Sequence, residues 1–142
     1  MDTSKTIVIV EDNPAEAKLA EFAFKELAIP NQILIFSEGQ EFLNYLESNG
    51  CENIAFTLLD LNMPGMSGLE ILQSIRNNFS FRALPILVFS SSGFEDEIEE
   101  CYQLGAKAYI RKPMDYLRFK EILEATYNFW VGQNIQPGRI AI

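Results

Sequence analysis

Five polar side chains follow or end short apolar runs of the kind that form buried strands. They are Glu11, Asp12, Asp60, Ser90 and Lys112. In an open parallel sheet, ligands bind outside the carboxyl ends of the strands. If the strands that carry these side chains lie side by side, the spacing predicts that all five converge on one polar cleft.

Three carboxylates in one cleft repel each other and cannot all stay ionised without a counter-charge. Mg²⁺ supplies such a charge and prefers oxygen ligands. We predict that Asp12 and Asp60 bind this ion directly, together with a backbone carbonyl near Asn62.

The same cleft has the groups needed for phosphoryl transfer to a carboxylate. Asp60 is the predicted nucleophile, and its attack on phosphorus gives an aspartyl phosphate. Lys112 can bind one oxygen of the incoming group as a point charge, and Ser90 can hydrogen-bond another.

Five apolar strands alternate with amphipathic helices, which favours a parallel sheet covered on both faces. We predict helix caps at Asn13, Ser37, Ser67 and Asp115. The predicted strands are 6–10, 33–36, 55–60, 86–89 and 107–110, and the predicted helices are 15–28, 37–49, 67–76, 94–104 and 115–131.

Length and composition limit the classes of function. The 142 residues suit one domain, and the net charge of −9 disfavours direct binding to nucleic acid. No apolar run approaches the roughly 18 residues of a membrane helix, and the N-terminus does not resemble a signal peptide, so we expect a cytoplasmic protein without a membrane anchor. The acidic run at 94–100 is interpreted as a solvated helix face.

Histidine is absent, which excludes serine–histidine and cysteine–histidine nucleophiles within the chain. Any phosphohistidine that takes part must therefore belong to another protein. Cys51 and Cys101 lack the spacing of a metal site, and we expect both to be free thiols.

The sequence resembles the receiver domain of two-component response regulators over about residues 5–131. The motifs that carry the resemblance are VIVEDN, LLDLNMPGMSG, VFSSS and AYIRKP. The resemblance implies a doubly wound, flavodoxin-like (βα)5 sheet with strand order 2-1-3-4-5, a receiver domain at 1–132 and a C-terminal tail at 133–142. It further implies Mg-dependent transfer from a histidine kinase onto Asp60, and signalling to a downstream protein in a phosphorelay.

The resemblance also assigns individual roles. Glu11 and Asp12 would organise Mg²⁺, and Ser90 would be the switch hydroxyl. Tyr109 would be the aromatic side chain that rotates when phosphorylation shifts both switch residues inward. Lys112 would contact the phosphoryl group, and the Lys112–Pro113 bond is expected to be cis.

No output domain is expected after the last helix, so signalling would use the surface of the receiver itself. The Phe129–Trp130 pair and the short tail are similar to those of small receivers that partner phytochrome-type histidine kinases. Part of the last helix, with Tyr116, Tyr127 or Trp130, is expected to remain for a homodimer or kinase contact. The alternative is that these aromatic side chains only cover the sheet.

Three other functions are considered. A haloacid-dehalogenase-type phosphatase needs a second Asp two residues after the nucleophile, where this chain has Asn62. A flavin-binding protein of the same fold needs a first loop that cradles phosphate, whereas EDNPAE is anionic. A receiver-like module without phosphorylation is disfavoured because all six expected positions are filled. We therefore expect a phosphoacceptor and not a turnover enzyme.

Overall fold

Five strands and five α-helices alternate along residues 2–133, which the computed structural model describes. The strands are β1 (Thr6–Val10), β2 (Ile33–Phe36), β3 (Ile54–Leu59), β4 (Ile86–Ser90) and β5 (Ala108–Arg111). The helices are α1 (Pro14–Glu26), α2 (Gly39–Asn49), α3 (Gly68–Arg76), α4 (Glu95–Gln103) and α5 (Tyr116–Tyr127). A short 3₁₀ turn, Phe79–Phe81, precedes β4, and a π-helical segment, Asn128–Gln133, follows α5.

All strands are parallel and lie in the order β2-β1-β3-β4-β5, which confirms the expected topology. The central strands β1, β3 and β4 are fully buried, and the edge strands β2 and β5 are mostly half-buried. Helices α1 and α5 cover one face, while α2 and α3 and a buried cysteine of α4 pack on the other. Because both faces are covered, the central strands are apolar except for Thr6, Thr57 and Ser90.

Local capping starts three of the helices where the sequence predicts. The side chain of Asn13 accepts from the N–H groups of Ala15 and Glu16. Ser67 forms a reciprocal capping box with Glu70, and Asp115 accepts from the N–H of Arg118.

The predicted cap at Ser37 is wrong. Extended backbone continues through Glu38, at φ −134° and ψ 139°, and α2 begins at Gly39. Ser37 therefore lies one residue too early to act as the N-cap. The side chain of Glu38, which does occupy that position, makes no capping hydrogen bond.

The expected cis bond at Lys112–Pro113 is also wrong, because the described residues contain no cis peptide bond. The preference for trans in an X–Pro bond is only about 0.5–1 kcal/mol, so the bond type depends on local packing and not on proline alone.

Both cysteines are free, as expected, and both are buried. Burial, followed by the nearby charges of Glu97 and Glu100, raises the pKa of Cys101 to about 11. Among residues 2–133, none of the helices is long and apolar enough to cross a membrane. The C-terminal tail lies almost entirely outside the described residues, so its boundary stays a prediction.

Tyr127, one of the three aromatic side chains considered for a surface contact of the last helix, is not a surface residue. It is 6% exposed, and its hydroxyl donates to Oδ1 of Asn31 at 2.7 Å. The amide of Asn31 donates in turn to the carbonyl of Lys5 at 2.8 Å. The end of α5 is thereby tied to the segment before β1.

We expect Tyr127→Phe to lower the free energy of unfolding by about 1–3 kcal/mol, because a buried acceptor on Asn31 loses its donor. The urea midpoint measures this change. Tyr45→Phe is the matched control: the Tyr45 hydroxyl has no hydrogen bond among the described residues, while its ring packs 5.3 Å from that of Phe36. Equal midpoints for the two variants would contradict the role of the buried hydrogen bond.

Candidate functional site

Backbone hydrogen bonds continue just past the carboxyl ends of the strands and bring the predicted residues together there. The N–H of Asp60 donates to the carbonyl of Val10 at 3.1 Å, next to Glu11. The N–H of Lys112 donates to the carbonyl of Ser90 at 2.8 Å. Residues up to 101 positions apart in the chain are thereby placed in one cleft.

The cleft contains the three predicted carboxylates. Glu11, Asp12 and Asp60 each offer an oxygen atom within 4.8 Å of the others. Glu11 and Asp60 are buried, at 6% and 7% exposure, and Asp12 is half-buried. Three hard oxygen donors at this spacing fit a divalent cation such as Mg²⁺.

Lys112 brings a positive charge into this cleft. Its Nζ lies 2.8 Å from Oε1 of Glu11, 3.6 Å from Oδ1 of Asp60 and 3.4 Å from Oε2 of Glu16. Burial opposes the charged form, but the hydrogen bond to Glu11 and the negative charges nearby outweigh it and raise the pKa of Lys112. The lysine therefore stays charged beside the predicted nucleophile.

Glu11 has the most perturbed carboxyl group of the cleft. The pKa of Glu11 is raised to about 7, mainly because the group is buried. The hydrogen bond from Lys112 opposes this shift, and the charge of Asp60 adds to it. The main cause of this shift is the loss of water around a buried carboxyl group, and repulsion from Asp60 is a smaller contribution.

Asn62 lies at the rim of the cleft and is exposed. Its N–H points toward Oδ1 of Asp60 at 3.4 Å, which helps to orient the carboxylate. Metal ligation by a carbonyl near Asn62 stays a prediction.

The two predicted switch residues belong to a second cluster, joined by hydrogen bonds. Ser90 is completely buried, and its hydroxyl lies 3.0 Å from that of Ser92. The hydroxyl of the half-buried Tyr109 lies 2.8 Å from Oε1 of Glu97 and 3.0 Å from the carbonyl oxygen of Ser92, so these two acceptors share its one proton. Burial is the main cause that raises the pKa of Tyr109.

Three residues of these clusters were not predicted. Glu16 lies in the first turn of α1, where a helix that starts beside the cleft points a carboxylate toward Lys112. Ser92 lies in the loop between β4 and α4, and no role was predicted for it. Glu97 was placed on a solvated face, yet it is half-buried while the other acids of its run are exposed. Only the rotation of α4 about its axis, which decides which of its side chains face β5, could have distinguished Glu97 from its neighbours.

The arrangement combines a carboxylate nucleophile, a nearby ammonium group and further hard oxygen ligands. Asp60 is oriented by one N–H donor, and Lys112 lies close enough to share an anionic group bound at Asp60. This set of groups suits the acceptance of a phosphoryl group by a carboxylate.

Comparison with known proteins agrees with this geometry. The chain is 33% identical over 135 residues to the probable methanogenesis regulatory protein FilR2 of Methanothrix harundinacea, covering 93% of this chain and 87% of the relative. It superposes with a TM-score of 0.85 on the phosphorylated cyanobacterial phytochrome response regulator RcpA, at 29% identity, covering 94% and 99% of the two chains.

A further solved structure is the Mn²⁺-bound form of the response regulator Rcp1, with a TM-score of 0.82 and 27% identity, covering 94% of this chain and 99% of Rcp1. Residues 7–124, most of the chain, match the response regulator receiver domain. The cleft at the carboxyl ends of the strands lies within this match. The chain therefore belongs to the response regulator receiver family, whose members are signalling domains of phosphorelays.

Proposed function

We propose that this receiver accepts a phosphoryl group from a kinase phosphohistidine onto Asp60 in a Mg²⁺-dependent reaction, and then signals to a protein partner. The observation that carries the proposal is the Asp60 carboxylate, which lies within 4.8 Å of Glu11 and Asp12 and 3.6 Å from the Lys112 ammonium. The predicted cytoplasmic location stays part of this proposal.

In the proposed reaction, an oxygen of Asp60 forms a bond to phosphorus while the bond from phosphorus to the kinase histidine nitrogen breaks. The nitrogen keeps the electron pair, and the product is an acyl phosphate on Asp60. Lys112 moves from its pairing with Glu11 to hold a phosphoryl oxygen, and the Ser90 hydroxyl donates to another. Mg²⁺, held by Asp12, Asp60 and Glu11, would supply positive charge for the transferring group.

The test is phosphotransfer from an autophosphorylated histidine kinase of the same organism, followed by the intact mass of this protein. We expect one added phosphoryl group in Mg²⁺ and none after EDTA treatment, because the acidic cleft repels the incoming anion without its cation. Phosphotransfer at the same rate with EDTA would contradict the proposed metal dependence. Absence of any added mass with acetyl phosphate and with every kinase tested would contradict the phosphoacceptor function.

Asp12→Ala should raise the Mg²⁺ concentration needed for half-maximal labelling at least about tenfold, since altering groups around a bound metal commonly costs 10–100-fold. Labelling by acetyl phosphate across a Mg²⁺ titration measures this shift. Asp96→Ala, which removes an exposed carboxylate from α4, is the matched control and should leave the titration unchanged. An unchanged titration for Asp12→Ala would remove Asp12 from the proposed ligands.

A phytochrome-type histidine kinase is the proposed donor, since a solved relative is a phytochrome response regulator. Large apolar side chains are exposed on α1 and around the start of α5, the two elements that line a cavity beside Lys112, and they would contact the kinase. Leu19 and Phe22 of α1 are 44% and 52% exposed. Met114, just before α5, and Leu117 in its first turn are 105% and 66% exposed. A cavity of about 140 Å³ between these two helices borders Lys112. Such a rim suits a protein that brings its phosphohistidine to Asp60.

Phe22→Ser should slow phosphotransfer from the kinase about tenfold or more, because a buried aromatic anchor can contribute 2 kcal/mol or more to an interface. Labelling by acetyl phosphate should stay unchanged, since the small donor needs no docking surface. Phe79→Ser is the control. Phe79 is 82% exposed and precedes β4, so it lies toward the amino ends of the strands, opposite the cleft. Equal kinase rates for Phe22→Ser and Phe79→Ser would place the kinase contact elsewhere.

A homodimer through the last helix and the tail also stays a proposal. Phe129 is half-exposed and its ring lies 5.2 Å from that of Trp130, which packs against the core. Sedimentation velocity with and without a phosphoryl mimic tests it, and a monomer at all concentrations in both states would exclude it.

A further inference from the structure

We propose that Glu97 is a positioning residue that turns the Ser90 hydroxyl away from Asp60 in the unphosphorylated protein. It does so by fixing which hydroxyl group donates and which accepts in a chain of hydrogen bonds that runs from Ser90 through Ser92 to α4. This inference rests on the proposed phosphorylation of Asp60 and adds to it a residue that opposes the phosphorylated state.

Glu97 is placed for this role by its contacts. It lies in the first turn of α4 and is half-buried. Its Oε1 accepts a hydrogen bond from the hydroxyl of Ser92 and one from the hydroxyl of Tyr109, the latter at 2.8 Å. One carboxylate oxygen thus joins α4 to β5 and to the loop after β4.

The direction of the chain follows from counting protons. A carboxylate only accepts hydrogen bonds, and a serine hydroxyl has one proton to donate. Because the Ser92 proton goes to Glu97, Ser92 cannot also donate to Ser90. The 3.0 Å contact between the two serine hydroxyls therefore has Ser90 as its donor.

A second hydrogen bond fits this direction. The backbone N–H of Ser92 donates to the hydroxyl oxygen of Ser90 at 3.2 Å, so Ser90 accepts from one group of Ser92 and donates to another. The only hydroxyl proton of Ser90 is thereby occupied within the β4 loop. Among the described residues, no hydrogen bond joins Ser90 to Asp60.

This pairing opposes the phosphorylated state. The oxygens of a phosphoryl group on Asp60 need donors, and Ser90 can supply one only after its hydroxyl leaves Ser92. While the Ser92 hydroxyl donates its proton to Glu97, it cannot donate that proton to Ser90. Ser90 therefore lacks this donor after its own hydroxyl has turned toward Asp60. A glutamine at position 97 has both a donor and an acceptor, so the chain can run in either direction.

The test measures the affinity of the full chain for beryllofluoride with Mg²⁺, a mimic of the phosphoryl group on a carboxylate. We expect Glu97→Gln to bind the mimic about tenfold more tightly, the effect of roughly one hydrogen bond to a charged group. Glu99→Gln, which removes the same charge from an exposed position of α4, should bind like the parent. Equal affinity of the parent and Glu97→Gln, or weaker binding by Glu97→Gln, would overturn the inference.

A double-mutant cycle separates the hydroxyl chain from simple loss of charge. Ser92→Ala removes the middle of the chain and should also tighten binding, and Glu97→Gln should then add no further gain. A full additional gain in the Ser92→Ala background would show that Glu97 acts by charge alone and would overturn the inference. If the parent neither binds the mimic nor accepts a phosphoryl group at Asp60, the proposed function itself fails, and the role of Glu97 fails with it.

Discussion

Asp60→Asn is expected to abolish the addition of a phosphoryl group to the protein by acetyl phosphate in Mg²⁺. The amide has nearly the shape of the carboxylate, but it lacks the anionic oxygen that attacks phosphorus. It also removes one of the three carboxylates that would hold the proposed cation. Intact mass spectrometry measures the added group, and peptide mapping locates it.

The control is Asp96→Asn, which makes the same chemical change at an exposed carboxylate of α4. We expect Asp96→Asn to be labelled like the parent. Asp60→Asn should also keep or raise the urea midpoint, because it relieves repulsion among buried carboxylates. Equal labelling of Asp60→Asn and the parent would show that another residue is the acceptor.

Gly68→Ala is expected to lower the free energy of unfolding by about 3 kcal/mol, the upper part of the range for overpacking. A Cβ atom at Gly68 would lie 2.6 Å from the Cα of Leu61 and 2.8 Å from the carbonyl oxygen of Asp60. These are backbone atoms, so the segment that carries the proposed phosphoacceptor, Asp60, must move. We therefore also expect slower labelling of the fraction that remains folded.

The matched comparison is Gly65→Ala, in the loop that connects β3 to α3. Gly65 has φ +79°, but no atom lies within 4 Å of its added Cβ. The expected loss is about 1 kcal/mol from backbone strain, with labelling close to that of the parent. Urea midpoints and acetyl phosphate labelling rates measure both variants. If Gly68→Ala were no more damaging than Gly65→Ala, close packing of α3 against the Asp60 loop would not matter for the site.

The site residues at the ends of the strands were predictable because their positions depend only on the local sequence and on the direction of each strand. A continuous apolar run marks a buried parallel strand, and the next residue must stand at the carboxyl edge of the sheet. This is why Glu11, Asp60 and Lys112 could be assigned to one cleft before the structure was known. Caps at Asn13, Ser67 and Asp115 were predictable for the same reason, since a cap contacts residues only two or three positions away.

Contacts that depend on how a helix faces the sheet were not predictable. Glu97 and its exposed neighbours have similar composition, and only the packing of α4 beside β5 brings Glu97 to Tyr109. Ser37 was mistaken for a cap because one residue of extended backbone shifts the start of α2.

By itself, the sequence determined the order of the elements and the acidic and basic groups of the cleft, because these follow from hydrophobic runs and the residues beside them. Only the tertiary structure decided which side chains from other elements join them. Tyr127 reaches Asn31, and Glu16 reaches Lys112, each across 96 positions of the chain. The physical reason is that such contacts are set by the packing of whole helices on the sheet, which depends on every buried residue at the interface and not on the local pattern of any one segment.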